Sequence, residues 1–141
     1  MALSGYHVYG SFDKERRKTI VATVVRELKG VDFDALAVRG VSGLIMAPIV
    51  AYLLNKHVIV VRKEKTEEFS HASQRVESPI ATGKYIVFDD FTGSGKTAKE
   101  IMKQVGISCP SLVCVGGYCW APSRRFSANL KVPVLNKGEG Y

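Results

Sequence analysis

Two adjacent carboxylates, Asp89 and Asp90, close the apolar run Tyr85 to Phe88, and Thr92-Gly93-Ser94-Gly95-Lys96-Thr97 follows at once. Part of that stretch has the letters of a nucleotide-triphosphatase loop, but G-x-x-x-x-G-K-[ST] requires glycine where this chain has Asp90. What stands instead is a strand ending in acids, then a turn rich in glycine and hydroxyls that opens a helix. Backbone N–H groups of such a turn, with the hydroxyls of Thr92, Ser94 and Thr97, suit a phosphate dianion, and the glycines admit it close to the backbone. The carboxylates do not bind that phosphate. They suit a neighbouring polar part of the same ligand, either the vicinal hydroxyls of a sugar or a magnesium ion. A phosphorylated sugar is the ligand so implied.

The elements that must position these groups are readable around them. Ala35 to Val38 is a short continuous apolar run of the kind buried on both faces of a sheet, and it stops at the glycine loop Arg39-Gly40-Val41-Ser42-Gly43. His57 to Val61 is a second such run and passes directly into Arg62-Lys63-Glu64-Lys65. From Glu64 to Gly83 no hydrophobic period survives, and a gap of about twenty residues inside a compact domain reads as a mobile loop. Helices are expected over Asp13–Leu28, where Ile20, Val21, Val24, Val25 and Leu28 recur in threes and fours, over Gly43–Leu54 as a buried helix, and from the Thr92 loop through Val105. A further strand, Ser111 to Val115, precedes Gly116-Gly117-Tyr118. Strands alternating with helices give an α/β fold with a central parallel sheet flanked by helices. Ligands of such sheets bind at the carboxyl ends of the strands. The segments starting at Arg39, Arg62 and Asp89 are therefore expected to converge.

A chain of 141 residues, 46% hydrophobic and 23% charged, fits one globular domain and excludes disordered and fibrous classes. Its longest apolar stretch, Gly43 to Leu54, falls short of the ~20 residues a bilayer span needs. The opening residues lack a secretory pattern, so a cytoplasmic location is expected and no membrane partner. The net charge of +7 favours an anionic partner. Basic residues are scattered, without aromatic interleaving or a nucleic-acid signature, so a small polyphosphate is expected rather than nucleic acid. Cys109, Cys114 and Cys119 have no metal-binding spacing and read as buried free thiols.

At Tyr85 to Thr97, YIVFDDFTGSGKT, the sequence resembles the PRPP-binding motif of type I phosphoribosyltransferases, and the likeness extends over roughly residues 34–115. It implies that family's core with a small hood, and transfer of a 5-phosphoribosyl group from Mg-PRPP to a nitrogenous base with release of pyrophosphate. Asp89 and Asp90 would hold the ribose hydroxyls, with Mg2+ held mainly by PRPP near them, and Thr92, Gly93, Ser94, Gly95, Lys96 and Thr97 would wrap the 5′-phosphate. Arg39-Gly40 resembles the pyrophosphate loop. Arg62 and Lys63 resemble the start of the catalytic loop, within which Lys65 and His71 also fall, and Lys63 would act on the leaving group. Tyr118 and Trp120 are candidate base-stacking residues. A homodimer is expected by the same likeness. A non-catalytic PRPP or nucleotide sensor on this fold is the alternative.

The departures bear on the base. The orotate-type loop continues to an HG pair, whereas here His71 lacks the glycine, and of the adenine-type loop ending only Glu77 is present. Enzymes for hypoxanthine and guanine carry an aspartate at the position of Gly93, so poor use of those bases is expected. The hood is expected in the first ~30 residues or in residues 118–141.

Overall fold

The computed structural model describes residues 13–63, 75–89, 95–120 and 135. Helix α1 (Lys14–Leu28) opens on Asp13, whose carboxylate accepts the Arg16 N–H at 2.9 Å, and buries Val21, Val24 and Leu28. Then come β1 (Ala35–Val38), α2 (Val41–Leu54), β2 (His57–Val61), β3 (Val76–Glu77), β4 (Gly83–Asp89), α3 (Lys96–Ser108) and β5 (Leu112–Cys119). The five strands among the described residues form one sheet in the order β3-β2-β1-β4-β5. The four longer strands run parallel, and β3 pairs antiparallel to β2.

Alternation along the central strands divides the core into two layers. Leu36, Val38, Ile86 and Phe88 pack with α1 and α2, while Ala35, Ala37, Tyr85 and Val87 pack with α3. Buried on both faces, these strands need the continuous apolar runs that the sequence carries. Helix α2 can approach the sheet because of Gly43, where a Cβ would lie 3.0 Å from the Val38 Cβ. It ends at Asn55, which adopts the left-handed conformation (φ 57°) and donates its N–H to the last-turn carbonyls.

Several expectations need correction. Helix α2 begins at Val41, so of the stretch read as a glycine loop only Arg39 and Gly40 precede the helix, and Gly43 serves packing rather than turning. Nor is α2 wholly buried: Met46, Ala47, Val50 and Ala51 face the core, whereas Val41, Leu44, Tyr52 and Leu53 are exposed, because the sheet covers only one side of it. Of the segment 64–83 read as a mobile loop, residues 76–77 are β3 and Gly83 starts β4; residues 64–74 lie outside the described residues. Helix α3 continues past Val105 to Ser108, and β5 continues through Gly116-Gly117 to Cys119, held in register against Ile86 to Asp89. Helix α1 packs into the core layer with α2, and the other residues in which a hood was expected, 1–12, 121–134 and 136–141, lie outside the described residues. Leu135 donates its N–H to the Gly117 carbonyl at 3.0 Å, beside β5.

Candidate functional site

The connection after β1 enters α2, packed on one face of the sheet, while the connection after β4 enters α3 on the other. The helices diverge between β1 and β4, and a crevice at that point is where open α/β sheets receive ligands. Arg39 and Gly40 stand at the carboxyl end of β1, and Asp89 ends the adjacent β4. Asp89 is only 6% exposed, and its carbonyl accepts the Trp120 N–H at 3.1 Å. Gly40, at φ 93° and ψ 170°, has a backbone that side-chain-bearing residues rarely adopt, and it opens α2 without a side-chain cap. Gly95 likewise opens α3 in the left-handed region, followed by an exposed Lys96 and a half-buried Thr97.

The carboxyl end of β2 lies on the other side of β1 and supplies Arg62 and an exposed Lys63. The Arg62 guanidinium pairs with Glu77 at 3.0 Å. Thus Arg39, Gly40, Arg62, Lys63, Asp89, Gly95, Lys96 and Thr97 all gather at one end of the sheet. Lys65, His71, Asp90, Thr92, Gly93 and Ser94 lie outside the described residues. Among the described residues no three His, Cys, Asp or Glu side chains gather as a metal-holding group.

No family model matches the chain. In sequence it is 34% identical over 106 residues to the adenine phosphoribosyltransferase of Thermosipho africanus (strain TCF52B), covering 66% of this chain and 62% of that one. It is 26% identical over 114 residues to the adenine phosphoribosyltransferase of Mycoplasma capricolum subsp. capricolum. The chain thus spans less than two thirds of the length of the first of these relatives. In structure, UMP synthase of Leishmania donovani matches with TM-score 0.65 at 18% identity, over 80% of this chain and 24% of that one. Adenine phosphoribosyltransferase of Saccharomyces cerevisiae matches with TM-score 0.59 at 18% identity, over 86% of this chain and 78% of that one. The chain thus has the α/β fold of the phosphoribosyltransferases it resembles.

Within this core, Tyr118 and Trp120 do not stand where a base could stack on them. Tyr118 is wholly buried and Trp120 nearly so, their rings lying 6.0 and 4.6 Å from that of Phe88. The cause is the longer β5: in register with Phe88, Tyr118 joins the α1/α2 layer of the core. Two groups escaped the sequence reading. Arg75, just before β3, pairs with Glu100 of α3 at 3.4 Å. The same Glu100 oxygen accepts the Gln104 amide at 3.0 Å. That hydrogen bond holds the Glu100 carboxyl below its ordinary value, helped by the charges of Lys103, Arg75 and Arg39 against the opposing effect of burial. The spacing of Glu100 and Gln104 on one helix was visible, but their link to Arg75 needs the folded chain.

Proposed function

We propose that the protein transfers a 5-phosphoribosyl group from Mg-PRPP to a nitrogenous base, with release of pyrophosphate, and that adenine is its preferred base. The observation that carries this reading is the buried carboxylate Asp89 at the crevice between β1 and β4, with Arg39-Gly40 on one side and the glycine-opened α3 on the other. Asp89 and Asp90 hold the ribose hydroxyls. Thr92, Gly93, Ser94, Gly95, Lys96 and Thr97 hold the 5′-phosphate. Arg39 and Gly40 take the pyrophosphate, with Lys63 beside it and Arg62, Lys65 and His71 on the same segment. Carboxylate oxygen is the donor type magnesium prefers, so Asp89 and Asp90 suit an ion held mainly by PRPP. That ion would neutralise charge on the departing pyrophosphate. The protein contributes position and electrostatics more than covalent chemistry: it aligns the base nitrogen with the anomeric carbon and steadies charge as the bond to pyrophosphate breaks.

Adenine is supported by the names of the two sequence relatives and by Gly93. Glycine offers no carboxylate to a 6-oxopurine, a loss of about 1.5–3 kcal/mol for a charge-assisted contact. The protein acts as a homodimer through the exposed apolar side of α2, in the cytoplasm. Among the described residues no helix is long and apolar enough to cross a membrane. The test is pyrophosphate release from Mg-PRPP with adenine, hypoxanthine, guanine, xanthine, orotate and uracil. Adenine should exceed hypoxanthine and guanine by roughly one to two decades in kcat/KM. A preference for hypoxanthine or guanine overturns the base assignment, and PRPP binding without turnover of any base overturns the reaction in favour of a sensor.

A further inference from the structure

Residues 62 and 75 meet where the chain leaves β2 and returns to β3. The Arg62 N–H donates to the Arg75 carbonyl at 2.7 Å, directly beyond the paired Val61 and Val76. From this stem the Arg75 guanidinium reaches across to α3, within 3.4 Å of the Glu100 carboxylate, and lies 3.5 Å from the Arg62 carbonyl. Both partners are about three-quarters covered, with side-chain exposures of 26% and 28%. A pair so covered, with its acid also hydrogen-bonded to the buried Gln104, is held more firmly than an exposed surface pair. Glu100 stands one turn into the helix that opens at Gly95, and Arg62 precedes Lys63. One carboxylate therefore ties the helix behind the phosphate loop to the stem that carries the basic side chains.

We propose that Glu100 is a positioning residue which, through Arg75, fixes the 62/75 stem against α3 and so sets Lys63 for the pyrophosphate end of PRPP. The role in catalysis rests on the phosphoribosyl-transfer reading above. The stem itself can be followed independently of turnover.

The experiment uses the full chain and four variants, Glu100→Gln, Glu100→Asp, Arg75→Gln and the double Glu100→Gln/Arg75→Gln. In hydrogen exchange, the Arg62 amide should exchange roughly tenfold faster in Glu100→Gln than in the wild type. In steady-state kinetics, each Gln variant should raise KM for PRPP by roughly tenfold while KM for the base stays unchanged. Glu100→Asp should recover most of the loss, and the double variant should be no worse than the weaker single one. An Arg62 amide indifferent to Glu100→Gln, or losses in KM for PRPP that multiply in the double variant, overturns the proposal. A wild-type chain inactive on every base, with the Arg62 amide still responding, overturns the transfer reading alone.

Discussion

Asp89 is 6% exposed at the carboxyl end of β4, and on the reading proposed above its charge serves the ribose of PRPP. Replacing Asp89 and Asp90 by Asn keeps their shape and removes their charge. Calorimetry on the double variant should show PRPP affinity reduced by at least about tenfold with Tm little changed, and unaltered affinity would remove ribose binding from their role. Tyr85 offers a test of a different kind. Burial, and then the charge and hydrogen bond of Cys114, push its phenol above the ordinary 10.0. A pKa raised by folding gives stability that is complete below the unfolded value and is lost as pH rises toward the folded one. Tm should therefore fall above about pH 10, and Tyr85→Phe should weaken that fall; equal pH dependence in the two proteins would refute it. Charged residues that terminate apolar runs, such as Arg39, Arg62 and Asp89, were legible in the sequence. Arg75 and Glu100 were not, because neither interrupts a pattern and their contact spans 25 residues of chain.

At the scale of elements, the close approach of α2 to β1 makes Gly43 a packing residue. Gly43→Ala places a methyl group 3.0 and 3.3 Å from the Val38 Cβ and Cγ1, so overpacking of about 1–3 kcal/mol is set against about 1 kcal/mol gained in helix propensity, a net loss of at most about 2 kcal/mol. Denaturant melts should show that loss, with Val38→Ala in the same chain restoring part of it. Simple addition of the two single effects would refute the contact. Strands β1, β2 and β4 were legible because doubly covered parallel strands must be apolar at every position. The glycines around α2 and β5 misled for a common reason: Gly43, Gly116 and Gly117 signal turns in a sequence, yet here they lie within buried regular structure. Strand β3 has two residues, too few for any period to register.

For the whole molecule, the outer side of α2 is an apolar surface exposed among the described residues. Val41, Leu44, Pro48 and Tyr52 follow one another at helical spacing on its exposed side, with Tyr52 85% and Leu53 54% accessible. Water is a poor partner for such a stripe, and on the dimer proposed above a second copy of the chain covers it. Light scattering should give a dimer for the wild type and a monomer for Tyr52→Glu/Leu53→Glu, with the circular dichroism of the two alike. A monomeric wild type, or a dimer indifferent to both charges, would refute the assignment of this face.

The three helices among the described residues do not begin alike: α1 opens on the carboxylate of Asp13, whereas α2 and α3, which begin at the carboxyl end of the parallel strands, open on Gly40 and Gly95 with no capping side chain. First-turn N–H groups must find acceptors somewhere, and an anionic ligand can supply them. On the reading proposed above, a ligand that completed both helices would count as part of the fold: binding at one hundred times Kd adds about 2.7 kcal/mol to the stability of a chain. In a cell with proteases at work, the survival time of each copy would then follow the supply of its own substrate, and abundance would rise and fall with demand without any change in synthesis.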